Sequence, residues 1–80
     1  MAIKVNIEKA KEIAHEKRRE ARAEEFKRLD EEITINIANP DKVKEIEAER
    51  EAVREKYVEI QNSIDSSTTT DELKSIIEAL

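Results

Sequence analysis

Eighty residues with 38% hydrophobic content and a net charge of −5 suit one small domain, and because nine of the apolar residues are Ala, only about two dozen side chains are large enough to fill a core. The chain has no Cys and no Gly, which excludes a disulfide staple, a cysteine nucleophile and a glycine-rich phosphate loop. A core this thin is expected to need oligomerisation or docking on a larger assembly, while the acidic balance argues against nucleic acid as a partner.

In chain order, the lead Met1-Ala2-Ile3-Lys4-Val5-Asn6-Ile7 lacks the apolar centre of a signal peptide, and no run approaches the roughly 20 apolar residues of a membrane span. Synthesis in a cytosol and no membrane partner are therefore expected. Asn6 is the first cap, its side chain facing the free amides of the following turn with Glu8 against the positive end of the dipole. From there the pattern predicts a helix over about 7–38. Its apolar residues change face midway: Ile7, Ala10, Ala14 and Ala21 hold one side, and Phe26, Leu29, Ile33 and Ile37 a side rotated by roughly a third of a turn. Either the helix changes partner or it breaks.

Between these faces, His15 to Glu25 holds nothing apolar larger than Ala, and it reads as a solvated helix steadied by pairs such as Glu8 with Lys11, Glu16 with Arg19 and Glu24 with Lys27. Ile33-Thr34-Ile35-Asn36-Ile37 alternates with period two and is β-branched, so a short strand competes with the helix there. Asn39-Pro40-Asp41 is a boundary, with Asn39 as cap and Pro40 at the first position of a second helix over about 40–64. That helix carries a heptad seam: Val43, Arg50, Tyr57 and Ile64 fall in one position, and Ile46, Val53 and Ile60 in the position three later.

A tight link between two long helices predicts an antiparallel hairpin, with Ile33 and Ile37 near Val43 and Ile46. Extended, that register sets Tyr57 and Ile60 against the polar stretch around Arg19 and Arg22, which points to partners from another chain. A polar connector over 65–69 leads to Thr69-Thr70-Asp71-Glu72, a capping-box pattern, and to a last helix over about 70–80 with the stripe Leu73, Ile76, Ile77 and Leu80. About eleven residues are too few for a stable helix alone, so the stripe must pack on the hairpin or a neighbour. The fold class expected is all-α: a coiled-coil-like hairpin plus a short C-terminal helix, oligomeric. The candidate protein interface is Val43, Ile46, Arg50, Val53, Tyr57, Ile60, Ile64, Leu73, Ile76, Ile77 and Leu80.

Chemistry has few candidates. Glu12-x-x-His15 is the spacing of a carboxylate and an imidazole in di-iron bundles, yet the seam offers Arg50 as its one charge and no inward acid, so the pair reads as an exposed feature of the helix and no metal or cofactor is expected. Lys17-Arg18-Arg19 with Arg22, Lys27 and Arg28 has the makings of a phosphate patch, but Glu16, Glu20, Glu24 and Glu25 interleave and no aromatic stands among the basic residues. Arg50 either fixes register, as a charge in a seam does, or packs its stem and reaches an acid such as Glu25 or Glu32. Tyr57 either buries its ring or anchors a partner. With serines and threonines far in sequence from the lone His, no catalytic site is expected.

The runs Val5-Asn6-Ile7-Glu8-Lys9-Ala10-Lys11-Glu12-Ile13, His15-Glu16-Lys17-Arg18-Arg19-Glu20-Ala21-Arg22, Leu29-Asp30 and Thr69-Thr70-Asp71-Glu72-Leu73-Lys74 together resemble a family of small helical phage proteins encoded beside, or fused to, tail fibre and tail assembly genes. The resemblance implies a non-enzymatic component of a bacteriophage tail or tail fibre, or a chaperone for its assembly, located in the virion tail and assembled in the host cytoplasm. It implies protein partners: a homo-oligomer, with a trimer favoured because phage fibres are generally trimeric, or a tail fibre protein. On that reading Val43 to Ile64 supply a three-fold bundle and Leu73 to Leu80 clip onto an adjacent subunit. The alternatives are a cytosolic coiled-coil adaptor or antitoxin-like module, and a metal-binding two-helix bundle.

Overall fold

Each helix begins where a polar side chain can take a free backbone amide. In the computed structural model, which describes residues 6–80, Asn6 accepts from the Lys9 amide at 3.2 Å and opens α1, Ile7–Ile35. Asn39 accepts from Lys42 at 3.3 Å, with Pro40 supplying the first residue of α2, Pro40–Ser66. Thr69 accepts from Glu72 at 3.2 Å and opens α3, Thr70–Glu78. No strand occurs among the described residues, and the protein is all-α. Met1 to Val5, read above for a leader and for the start of the resemblance, lie outside the described residues.

The helix termini differ from the sequence expectation for local reasons. α1 stops at Ile35 because the β-branched run is a poor helix former and Asn36 turns back on the chain, its amide and its side-chain Nδ2 both donating to the Glu32 carbonyl at 3.0 and 2.8 Å. The stretch 36–38 is a turn, neither helix nor strand. Ile37 is thereby turned out to 71% exposure rather than packed near Val43. α2 runs on to Ser66, shortening the connector to three residues; the Ser67 amide donates to Ile64 and its buried hydroxyl to Ser63 at 2.7 Å. The capping box is also shifted by one, since the Glu72 carboxylate accepts from the Thr68 amide, not from Thr69.

α1 and α2 form an antiparallel hairpin, and α3 folds back over its open end. Near its start α3 lies beside Ala10 and Ile13, and near its end Ile77 and Leu80 line a cleft with Lys17, Ala21 and Glu24, so it runs in the same direction as α1. That end holds the main cluster: Ala14, Ile64 and Leu73 are buried, with Ile7, Ala10, Ile60, Ile76 and Ile77 packed around them. Leu29, Ile46 and Tyr57 continue the buried line toward the turn, where two helices stand without a third. α1 does not break, and it keeps α2 as its partner from Lys11 and His15 to Asp30, with α3 added at the open end. Replacing Thr69 by Ala is expected to cost about 1 kcal/mol, seen as faster amide exchange across α3 with α1 and α2 little changed.

Candidate interaction surface

Every member of the α2 seam is buried or half-buried inside the single chain: Ile46 is 2% exposed, Tyr57 3% and Ile64 0%, with Val43, Arg50, Val53 and Ile60 half-buried between them. What they pack on was not legible as apolar. Lys11, Arg18, Glu25 and Glu32 recur every seven residues of α1, and Ala14 and Ala21 lie three residues after the first two of them. All six are buried or half-buried, Ala14 at 0% and Arg18 at 9%. The stretch read as a solvated helix is so on its outer side, where Glu16, Lys17, Arg19, Glu20 and Glu24 are exposed, while its other side belongs to the inner face of α1. Its alanines let the backbones approach, and its long charged side chains lay their stems along the interface while the heads find partners at its margins.

Those partners set the register of the hairpin. Asp65 on α2 meets two groups of α1: its carboxylate faces His15 Nε2 at 2.8 Å, and its carbonyl accepts from Lys11 Nζ at 2.8 Å. Arg18 Nε donates to His15 Nδ1 at 3.3 Å. A guanidinium nitrogen can only donate, so Nδ1 accepts and Nε2 donates to the Asp65 carboxylate. His15 is accordingly a half-buried link between the helices, not an exposed partner of Glu12. Burial first, then the neighbouring Arg19 and Arg22, hold the Arg18 guanidinium below its ordinary pKa. Among the described residues no three His, Cys, Asp or Glu side chains converge as metal ligands would.

At mid-hairpin Glu25 faces Tyr57 and Lys56. Its Oε1 accepts from Lys56 Nζ at 3.0 Å, whereas its Oε2 is buried without a well-formed hydrogen bond, the Tyr57 hydroxyl being its polar neighbour. The hydroxyl and then Lys56 hold the Glu25 carboxyl below the usual carboxylate range against the opposing effect of burial. Burial, followed by the Glu25 carboxylate, pushes the Tyr57 phenol up to about 12. The links Asp65 to His15, Lys56 to Glu25 and Arg50 to Asp30 keep the expected register, with Tyr57 and Ile60 opposite the polar stretch of α1; Tyr57 meets Glu25 there and, at 3% exposure, needs no second chain to cover it.

Arg50 resolves in favour of the packed stem, but its acid is neither Glu25 nor Glu32: Nη1 donates to Asp30 at 2.6 Å, and its guanidinium lies 5.5 Å from the Phe26 ring centre, with Arg22 at 4.7 Å from the same ring. Both partners are open to water, the side chains being 34% and 58% exposed, so the pair is worth about 1 kcal/mol or less. Arg50→Met, which keeps the stem, should change stability by less than about 1 kcal/mol in a urea melt; a larger loss would restore the charge as a register lock.

The large apolar side chains that do face outward lie elsewhere. Ile35 is 79% exposed and Ile37 71% at the hairpin turn, Val58 is 52% exposed on the back of α2, and Ile13 is 47% exposed beside α3. An open depression of about 580 Å³ runs along the outer face of α1 between Phe26 and Ile35, over Lys27, Asp30 and Thr34. Of the stripe of α3, Leu73 is buried, Ile76 and Ile77 are half-buried and Leu80 is 37% exposed.

These features define a class, a helical hairpin closed on itself by one charged and one apolar face with a short third helix docked on its open end. No protein-family model matches the chain, and neither a curated protein nor a solved structure matches it.

Proposed function

We propose that the chain is a non-enzymatic structural or assembly component that works by packing helix on helix, with the tail or tail fibre of a bacteriophage as its setting. The observation that carries the first half is the distribution of apolar surface: a closed hairpin whose two most exposed large apolar groups, Ile35 and Ile37, stand out at one tip, as in a piece that inserts its end into a larger assembly. The phage setting is supported by the sequence resemblance alone. Because the α2 seam is occupied within the chain, a trimer on this reading joins through outer faces and not through Val43 to Ile64.

The cytosolic adaptor keeps a place as the second reading, favoured by the same internal closure, since a hairpin that needs no copy of itself suits a module meeting one partner. Deleting the reading frame from its parent genome separates them. Particles that lose fibres or tails under the electron microscope, restored by the gene supplied in trans, are expected; normally fibred, infectious particles would overturn the tail reading.

A further inference from the structure

The three helices are not held in the same way. α1 and α2 are tied by polar links at four points, Lys11 and His15 to Asp65, Glu25 to Lys56 and Asp30 to Arg50. Among the described residues no side-chain hydrogen bond or ion pair joins α3 to either. The side-chain bonds that α3 makes are local, to Thr68 and Thr69 of the connector, so the helix and its cap can leave as one unit. Its grip is the apolar set Leu73, Ile76 and Ile77 on Ala14 and Ile64. Open clefts flank it, lined by Ile13 on one side and Leu80 on the other.

The connector points the same way. Ser67 and Thr69 are already extended, at φ, ψ of −65°, 138° and −130°, 155°, so swinging α3 outward demands no strained backbone. The apolar phase also breaks here: continuing the seam seven by seven from Ile64 gives Asp71 and Glu78, while the apolar residues are Leu73, Ile76 and Ile77. In helical phase with α2 the apolar stripe of α3 would face away from α1, so α3 reaches a hairpin face only by turning at the extended link.

We propose that α3 is an exchangeable clasp: released from its own hairpin, it docks on the open end of a second copy, against the face of Ile7, Ala10, Ala14, Ile60 and Ile64. The occupant is argued from identity, since the second copy's α3 makes in trans each contact that the first makes in cis. What exchange must overcome is the high effective concentration set by a three-residue link. It is thus a property of crowded chains, as in an assembly, and the clasp keeps the apolar face covered until then. This deepens the helix-packing reading above by naming the element and its partner.

The test mixes two populations of the full-length protein, one Ile13→Cys and the other Lys74→Cys, positions that line one cleft in a chain with no cysteine of its own. After equilibration with gentle warming, a short bis-maleimide is added. Covalent heterodimer that grows with concentration, well above a Glu51→Cys and Lys74→Cys control on the far face of α2, is the expected result. Yields equal to the control, or none at concentrations where the intrachain Ile13→Cys, Lys74→Cys double variant cross-links fully, would overturn the clasp. Oligomers by light scattering without this cross-link would overturn it too, yet leave the helix-packing function standing through another face.

Discussion

Ile64→Ala should cost about 3 kcal/mol, which for a domain of this size lowers the melting temperature by roughly 12–24 °C. Ile64 is fully buried, and in the main cluster it is the buried seam residue, set with Ala14 of α1 and Leu73 of α3. Removing its branched end leaves a cavity where three helices meet, and α1 cannot close it because the facing residue is already an alanine. Total stability of a small domain is about 5–15 kcal/mol, so this one change takes a large share. Ile37→Ala is the matched control: the same chemistry at 71% exposure should move stability by less than about 0.5 kcal/mol. Equal losses at the two positions in parallel urea melts would mean that the seam is not where the core lies.

Tyr57 yields the second large effect, and it has a pH signature. Tyr57→Ala should cost about 3 kcal/mol or more by emptying the mid-hairpin core. Tyr57→Phe keeps the ring and removes the hydroxyl beside the Glu25 carboxyl, and since no well-formed hydrogen bond to the buried Oε2 is lost, it should cost about 1 kcal/mol or less. The phenol is raised from 10.0 to about 12 in the folded chain. Folding thus holds the proton more tightly than the unfolded chain does, so this contribution is complete below pH 10 and fades as the pH climbs toward 12. Glu25 acts at the other end: its carboxyl is lowered from 4.5, so its contribution is present above that value and is lost as the pH falls through the folded pKa. Stability followed by urea unfolding should fall on both flanks for the parent chain. In Tyr57→Phe the loss above pH 10 should be reduced, and an unchanged alkaline flank would detach the effect from Tyr57.

The order of helices was readable because its signals are short-range. Asn6, Asn39-Pro40 and Thr69 cap within three residues, and a heptad of large apolar groups announces α2 without any knowledge of its neighbour. The facing side of the hairpin was not readable in the same way, because Lys11, Arg18, Glu25 and Glu32 repeat every seven residues but are charged, and a search for large apolar groups passes over them. Burial of such residues depends on their partners across the interface: Asp65 lies 50 positions from His15, and Lys56 lies 31 from Glu25. Once α1 is granted an inner face of alanines and charged stems, the expected need for a second chain at Tyr57 and Ile60 disappears. Ile37 failed in the opposite sense, since an apolar residue in a helical pattern is turned outward by Asn36 closing on Glu32.

The central claim is that the α2 seam is satisfied within one chain, and circular dichroism at 222 nm across a wide dilution series tests it most directly. An intrachain hairpin keeps the same helicity and the same thermal midpoint at every concentration. Helicity that falls on dilution, with a midpoint that falls alongside it, would contradict the claim and return Val43 to Ile64 to a partner chain.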